Sequence, residues 1–371
     1  MKKKVNMALI GPKFMGKAHS NAIRDVARFF ELGCEPVMKT LCGVSDGLET
    51  LAEIYGWQTT EKDWRNVMTD PEIECVAICT PGKLHRDMAV EAAKNGKNII
   101  CEKPLANTLG EAEEMMAAVE KSGVVNFVNF NYRRVPAIAL AKKLIDEGRL
   151  GNITHFRAIY QQDWAAYETG DYVWRFDNSV SGGGAIADLG SHIIDLGRFL
   201  VGEYDEVICT YKTVIPYKTD ALSGEKKAVT SDDAANFLAA FKNGAMGVFQ
   251  TSRVSQGRKN WLSLEINGSK GSVTFNLERL NELEVYLPED DDVAGFRNVI
   301  VTQPNHDYMK SWWPPGHIIG WEHTFIHQYY EFLKAVTGVE NNGPSFADGV
   351  AAQRVIERLL ESGKTKQWVK I

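Results

Sequence analysis

The chain lacks a strong excess of charge of either sign and lacks a long hydrophobic run. Its 371 residues contain 42 Lys and Arg against 48 Asp and Glu, which gives a net charge of −6. A mildly acidic chain is a poor electrostatic partner for the phosphate backbone of nucleic acids. No window approaches the ~20 consecutive apolar residues of a membrane span. We therefore expect a protein that binds neither nucleic acid nor a membrane.

Cysteine is also scarce, with six residues in the whole chain. So few cysteines do not form a disulfide framework in a chain of this length. Cys75 and Cys79 share an apolar run, and an extended strand holds them too far apart to ligate one metal. The apolar run after Lys4 is too short for a signal peptide. We expect reduced thiols, no metal site and a cytoplasmic location.

The pattern of apolar residues divides the chain, whose length suggests two domains at about 150 residues each. Over residues 1–130 short apolar runs alternate with helical segments, which predicts βαβ units, a parallel sheet and an α/β fold. Over residues 131–371 long strand candidates follow one another through short turns. This second pattern predicts an α+β domain with a large, mostly antiparallel open sheet. Its C-terminal helices could pack back on the first domain.

A glycine-rich turn lies between the first predicted strand and the first predicted helix. Gly11 and Gly16 occupy the first and third glycine positions of a G-x-G-x-x-G turn, whereas Lys13 stands at the second. Such glycines let backbone N–H groups at a helix N-terminus approach a pyrophosphate, as in a Rossmann dinucleotide-binding domain. Lys13 either restricts that approach or neutralises a phosphate. The alternative is an ordinary strand–turn–helix.

Asp46 follows the second predicted strand. At this position a carboxylate accepts hydrogen bonds from the adenine ribose and repels a 2′-phosphate. Asp46 therefore favours NAD over NADP. The alternative is that it only caps the helix that follows.

Two further clusters complete the pattern. Glu102-Lys103-Pro104 follows the fourth predicted strand, and Asp188-x-x-x-His192 lies on a later predicted helix. Together with the glycine turn and the 80–85 segment, they make the chain resemble the Gfo/Idh/MocA oxidoreductases from end to end. The chain departs from the family at Lys13 and at residue 82, a glycine where the family usually has Asn. The resemblance implies a Rossmann domain, an NAD cofactor and a homo-oligomer (dimer, tetramer or higher).

The resemblance also implies roles in the oxidation of a secondary alcohol. Such a reaction needs a hydride acceptor, a base for the hydroxyl proton and a positive group near the oxygen. Asp188 and His192 are spaced i, i+4 and so share a helix face. His192 titrates near neutrality and is the expected general base. Lys103 would stabilise the developing alkoxide, and Asp188 would hold the substrate or tune the other two groups.

Two sets of residues are candidates for binding. The cofactor set is Gly11, Lys13, Phe14, Met15, Gly16, Asp46, Thr80, Pro81, His85, Glu102 and Lys103. Aromatic faces suit the C–H faces of a pyranose, and planar polar groups suit its hydroxyls. The substrate set chosen on that basis is Tyr132, Arg133, Gln162, Asp163, Trp164, Trp174, Arg175 and His323. Core packing and surface ion pairs are the alternatives for this set. Residues 312–323 are expected to form a loop over the pocket mouth.

Within the family, the segments 14–20, 160–164 and 174–175 are most similar to sugar and glycoside 3-dehydrogenases. The resemblance predicts NAD-dependent oxidation of a secondary hydroxyl, at C3, of a sugar or glycoside to a keto-sugar. Three alternatives stay open: an inositol dehydrogenase, an NAD-dependent glycoside hydrolase acting through transient oxidation, and a non-catalytic NAD-binding regulator. Lys103, Asp188 and His192 together argue against the regulator.

Overall fold

The computed structural model describes residues 2–168 and 171–371, and these residues form two compact units. The first unit comprises the chain up to Arg134 together with Gly320–Ala351. The second comprises the described part of Val135–Ile319 together with Ala352–Ile371. The chain therefore leaves the first unit, forms most of the second, returns to the first and ends in the second.

Within the described part of the first unit, six strands form a parallel sheet. They are β1 (Lys3–Ile10), β2 (Cys34–Cys42), β3 (Thr59–Glu61), β4 (Cys75–Ile78), β5 (Asn98–Cys101) and β6 (Asn126–Val128). Their order is β3-β2-β1-β4-β5-β6, and each neighbouring pair is parallel. Strand β4 is buried along its whole length, as expected for a strand covered on both faces. The predicted Rossmann fold is confirmed.

The described residues contain ten α-helices. They are α1 (Phe14–Phe29), α2 (Leu48–Tyr55), α3 (Trp64–Thr69), α4 (His85–Lys94), α5 (Leu109–Ser122), α6 (Pro136–Asp146), α7 (Asn178–Ser181), α8 (Ser191–Leu200), α9 (His323–Val336) and α10 (Phe346–Thr365). A capping box at Thr108 and Glu111 starts α5, and Gly123 ends it in a left-handed conformation; both are standard helix signals. No helix of the described residues is long and apolar enough to span a bilayer.

The second unit contains the large sheet. Its strands, with those of a separate hairpin, are β7 (Ile153–Gln161), β8 (Tyr204–Lys212), β9 (Tyr217–Thr219), β10 (Lys226–Ala228), β11 (Ala234–Phe241), β12 (Met246–Ser252), β13 (Trp261–Gly268), β14 (Gly271–Asn276), β15 (Glu282–Tyr286), β16 (Arg297–Ile300) and β17 (Val369–Lys370). Strands β9 and β10 form the hairpin, and the others follow the order β16-β15-β14-β13-β7-β12-β11-β8-β17. Every pairing in the large sheet is antiparallel except β7 with β12. The predicted, mostly antiparallel sheet is confirmed.

Candidate active site

The glycine turn of the first unit brings two backbone segments into close contact. Gly11 has φ +103°, and a Cβ added to it would lie 2.6 Å from the carbonyl oxygen of Cys79. A Cβ on Gly16 would lie 2.1 Å from the carbonyl oxygen of Gly11. Helix α1 begins directly after Lys13, whose side chain has no acceptor for the helix N–H groups. These N–H groups are therefore oriented to bind a phosphate, and the turn fits a dinucleotide.

The other predicted cofactor residues follow the carboxyl ends of β2, β4 and β5. Asp46 is exposed after β2. His85 is buried, with Nε2 2.9 Å from the carbonyl oxygen of Thr80 and Nδ1 3.1 Å from that of Leu105. Burial lowers the pKa of His85. The buried ring of His85 thus connects the loop after β4 to the segment after β5 and holds both in place.

Glu102 directly precedes Lys103 and is buried in a polar network. Its Oε1 accepts hydrogen bonds from His19 Nε2 at 2.8 Å and from Asn129 Nδ2 at 2.6 Å. The other ring nitrogen of His19 lies 2.7 Å from the hydroxyl of Tyr329. Burial alone would raise the pKa of Glu102, but the hydrogen bond and charge of His19, with Lys103 and Asn129, lower it. The carboxylate therefore joins the end of β5 to α1 and to the residue after β6, and His19 extends the network to α9.

Three predicted substrate residues belong to the first unit. The hydroxyl of Tyr132 accepts a hydrogen bond from Trp321 Nε1 at 3.3 Å, and Arg133 donates to Asp348 at 3.1 Å. Phe14, 68% exposed, stacks on Trp321 with ring centroids 5.8 Å apart. His323 Nδ1 accepts from the N–H of residue 320 at 3.1 Å, and burial lowers its pKa. Tyr132, a predicted substrate residue, and Phe14, a predicted cofactor residue, thus both contact the indole of Trp321.

Asp188 and His192 belong to the second unit, whereas Lys103 belongs to the first. Residues Ile186–Gly190 form a π-helical turn that leads directly into α8, so Asp188 lies in the turn and His192 in the helix. Asp188 Oδ2 lies 3.7 Å from Arg175 Nε. The His192 ring is 5.8 Å from the ring of Tyr160, edge to face. The structure thus brings the predicted substrate residue Arg175 to the predicted catalytic carboxylate.

The remaining substrate candidates make contacts of their own in the second unit. Gln162 donates to Asn260 at 2.6 Å. Asp163 accepts from Lys259 at 2.7 Å, and that hydrogen bond lowers the pKa of Asp163. Trp164 and Trp174 are 41% and 37% exposed, and the guanidinium of Arg175 lies 4.5 Å from the Trp174 ring.

Sequence reasoning did not single out three buried charged groups of the second unit. Arg253 and Asp233 form an ion pair at 2.8 Å, with both side chains 1% exposed. Asp232 is also buried and binds the start of the π-helical turn. The available signal was the pair of aspartates directly before an apolar strand, since charged residues are almost never fully buried unless they are paired.

Comparisons with known proteins cover both units. Residues 5–130 match an oxidoreductase family with an NAD-binding Rossmann fold, and residues 138–274 match the GFO/IDH/MocA C-terminal domain. Levoglucosan dehydrogenase of Pseudarthrobacter phenanthrenivorans is 40% identical over 99% of this chain and 98% of its own. Glucose-6-phosphate 3-dehydrogenase of Bacillus subtilis is 26% identical over 97% of each. A structure of levoglucosan dehydrogenase with NADH and levoglucosan superposes with a TM-score of 0.96 at 40% identity, covering 100% of this chain and 99% of that one.

Proposed function

The chain belongs to the Gfo/Idh/MocA oxidoreductase family, and from that premise we propose that it is an NAD-dependent sugar or glycoside dehydrogenase. It oxidises a secondary hydroxyl, at C3, to a keto-sugar. The observation that carries this proposal is the full-length similarity to levoglucosan dehydrogenase. The similarity to a glucose-6-phosphate 3-dehydrogenase supports oxidation at C3.

The residues of the first unit that would hold the cofactor lie after the strands of the parallel sheet. The backbone of residues 11–16 would bind the pyrophosphate, since the glycines leave room for it and the N-terminus of α1 favours an anion. Asp46 would bind the adenine ribose, and the segments at Thr80–Pro81 and Glu102–Lys103 would face the nicotinamide half. When bound, NAD supplies the hydride acceptor for the carbinol carbon.

The residues of this chain provide the proton transfer and charge stabilisation. His192 takes the hydroxyl proton as general base, because a neutral imidazole is the side chain best suited to that task near neutral pH. The ammonium of Lys103 hydrogen-bonds the same hydroxyl oxygen and stabilises its developing negative charge. Asp188 orients the substrate hydroxyl. Arg175, 3.7 Å from Asp188, binds a neighbouring hydroxyl or restrains that carboxylate.

The sugar would lie against the partly exposed aromatic and amide side chains. Trp164 and Trp174 offer faces for the ring carbons, and Gln162 and Asp163 offer acceptors and a donor for hydroxyls. Tyr132, Arg133 and His323 are the other substrate contacts in this proposal, and residues 312–323 are the segment proposed for the pocket mouth. These assignments predict a substrate rich in hydroxyl groups.

The partner of this chain is a second copy of itself, in a dimer or a higher homo-oligomer. One face of the large sheet exposes Leu238, Met246 and Val248, which are 47%, 57% and 50% exposed. A contiguous apolar patch on a sheet is typical of a protein interface. The Leu238→Glu and Val248→Glu double variant should therefore sediment as a smaller species than wild type. The described cysteines are all free, which is consistent with the cytoplasm as the location.

A substrate panel tests the activity. The protein is incubated with NAD and with glucose, inositol, levoglucosan, or O- and C-glucosides, and NADH, keto-sugar and free aglycone are measured separately. Net NADH with a 3-keto-sugar is the expected result, whereas preferential oxidation of inositol would replace the substrate proposed. Free aglycone without net NADH would indicate the glycoside hydrolase instead. Because bound NADH could be recycled by a keto-sugar, each reaction is repeated with a keto-sugar added.

A further inference from the structure

The start of the helical segment that carries Asp188 and His192 is bound by one residue from a distant part of the chain. The two carboxylate oxygens of Asp232 accept hydrogen bonds from the N–H groups of Gly184 and Ile186, both at 2.9 Å. Its carbonyl oxygen accepts from the N–H of residue 185, also at 2.9 Å. Three successive N–H groups at this helix start therefore share one partner. Such groups otherwise lack an acceptor within the helix.

The contact between Gly184 and Asp232 leaves no space for a side chain. A Cβ on Gly184 would lie 1.8 Å from the carbonyl oxygen of Asp232. Asp232 is itself 5% exposed, so water does not compete for its hydrogen bonds. The position of the π-helical turn is thus fixed directly to the backbone and side chain of Asp232.

The residues on either side of Asp232 hold the backbone of Arg175. The carbonyl oxygen of Arg175 accepts hydrogen bonds from Ser231 Oγ at 3.0 Å and from Arg253 Nη1 at 3.1 Å. Arg253 also donates to Ser231 Oγ at 2.9 Å and to Asp233 at 2.8 Å. All the donors and acceptors in this set are in the second unit.

We infer that Ser231, Asp232, Asp233 and Arg253 form a positioning cluster that sets Arg175 against Asp188 for the reaction. This inference rests on the proposed function, in which Asp188 and Arg175 contact the substrate. The ion pair between Arg175 and Asp188 is too weak to fix its own geometry. Its side chains are 37% and 28% exposed, and exposed ion pairs contribute only ~0–1 kcal/mol to stability. The positioning cluster is buried, and it binds the backbone on both sides of the contact. The positioning cluster therefore fixes the distance between Arg175 and Asp188, which their exposed ion pair does not fix.

The Ser231→Ala variant tests the inference, since it removes only the hydroxyl that donates to Arg175. Steady-state kinetics are measured with NAD and levoglucosan, or with D-glucose if that sugar reduces NAD faster. We expect kcat/KM for the sugar to fall by about 10-fold, because small misplacements in a site are costly. The Kd for NADH, measured by fluorescence, stays unchanged. Ser362→Ala is the matched control: Ser362 is fully buried and donates to a carbonyl at 2.7 Å within the same unit, and its kcat/KM should equal that of wild type.

A double-mutant cycle separates positioning from general loss of structure. In an Arg175→Gln background, Ser231→Ala should lower kcat/KM by less than about twofold, because the group that it positions is gone. The same fold-loss in both backgrounds, or no loss in wild type, would overturn the inference. If Ser231→Ala folds poorly, Arg253→Lys serves in its place, since lysine keeps the charge beside Asp233 and loses the contact with Arg175.

Failure of the proposed function has a different signature in the same assay. If wild type reduces NAD with none of the sugars, the proposed function is wrong and the inference falls with it, and if His192→Ala and Asp188→Asn both keep wild-type turnover, the catalytic assignment on which the inference rests is wrong. If both variants lose turnover while the cycle is additive, the proposed function stands and only the positioning role is wrong.

Discussion

His19 Nε2 lies 2.8 Å from Glu102 Oε1, and both residues are buried inside the first unit. His19 comes from α1, which begins at the glycine turn, and Glu102 directly precedes Lys103. One buried hydrogen bond therefore links the part of the fold that would hold the pyrophosphate to the proposed catalytic amine. Asn129 and Tyr329 extend this link to β6 and α9.

Glu102→Ala should destabilise the protein and slow the reaction. The variant leaves His19 Nε2–H and Asn129 Nδ2 buried without their acceptor, which costs about 1–3 kcal/mol per group. Urea denaturation should show a lower free energy of unfolding. The value of kcat should also fall, because the backbone of Lys103 loses the carboxylate of Glu102 beside it. Glu120→Ala, which changes an exposed acid on α5, is the control. A wild-type unfolding midpoint for Glu102→Ala would contradict the network as described.

Lys103→Ala and His192→Ala should each lower kcat by ~10²-fold or more, because general-base and charge-stabilising groups contribute on this scale. The Kd for NAD should change little in His192→Ala. Two exposed residues, Lys83 and His155, give the matched controls Lys83→Ala and His155→Ala, one for each unit. Near-wild-type turnover in both site variants would refute the catalytic assignment.

Asp46→Ala should reduce the preference for NAD over NADP by about 10-fold or more, because the carboxylate that repels the 2′-phosphate is removed. The measurement is kcat/KM for each cofactor at a saturating sugar concentration. Glu49→Ala provides the comparison, since Glu49 is an exposed acid in the first turn of α2. An unchanged cofactor ratio in Asp46→Ala would show that Asp46 only precedes the helix.

His327→Gln should make folding stability less sensitive to acid. Burial lowers the pKa of His327 from 6.5 to about 3. Between these values the unfolded chain binds a proton that the folded chain does not, so stability falls as the pH falls, by about 1.4 kcal/mol per pH unit. Glutamine does not titrate and can still donate to the carbonyl oxygen of Arg134, which His327 Nδ1 contacts at 2.9 Å.

The free energy of unfolding, measured from pH 7 to pH 4, should therefore fall less steeply in His327→Gln than in wild type. His155→Gln, which changes an exposed histidine in the second unit, should follow the wild-type curve. Parallel curves for His327→Gln and wild type would contradict the assignment of an uncharged, buried His327.

The parallel sheet could be predicted because its central strands are apolar throughout, and β4 is the clearest case. Strand β3 could not be predicted, because Thr59–Glu61 has three polar residues and is a strand only through its pairing with β2. The β9–β10 hairpin escaped for the same reason, since its residues carry no apolar alternation. The sequence predicts an α-helix at 186–190, where the structure has a π-helical turn. Five residues are too few to distinguish the period of a π-helix from that of an α-helix.

The candidate site divides in a similar way. Lys103, Asp188 and His192 could be named from the sequence because they stand in short motifs with a chemical meaning. Asp232 and Arg253 could not be named, because the backbone groups that their side chains bind lie 46 or more residues away along the chain. Sequence spacing gives no sign of such contacts, which exist only once the sheet has formed.

The division of the chain has a consequence for its synthesis. Tyr329, which binds His19, arrives on α9 only after the intervening segment up to Ile319 has left the ribosome. The network of buried polar groups around His19 is incomplete until Tyr329 supplies its hydroxyl. The segment Val135–Ile319, in contrast, is contiguous and can begin to fold earlier. A nascent chain stalled before α9 should therefore expose its N-terminal third to protease, and one released after α10 should protect it.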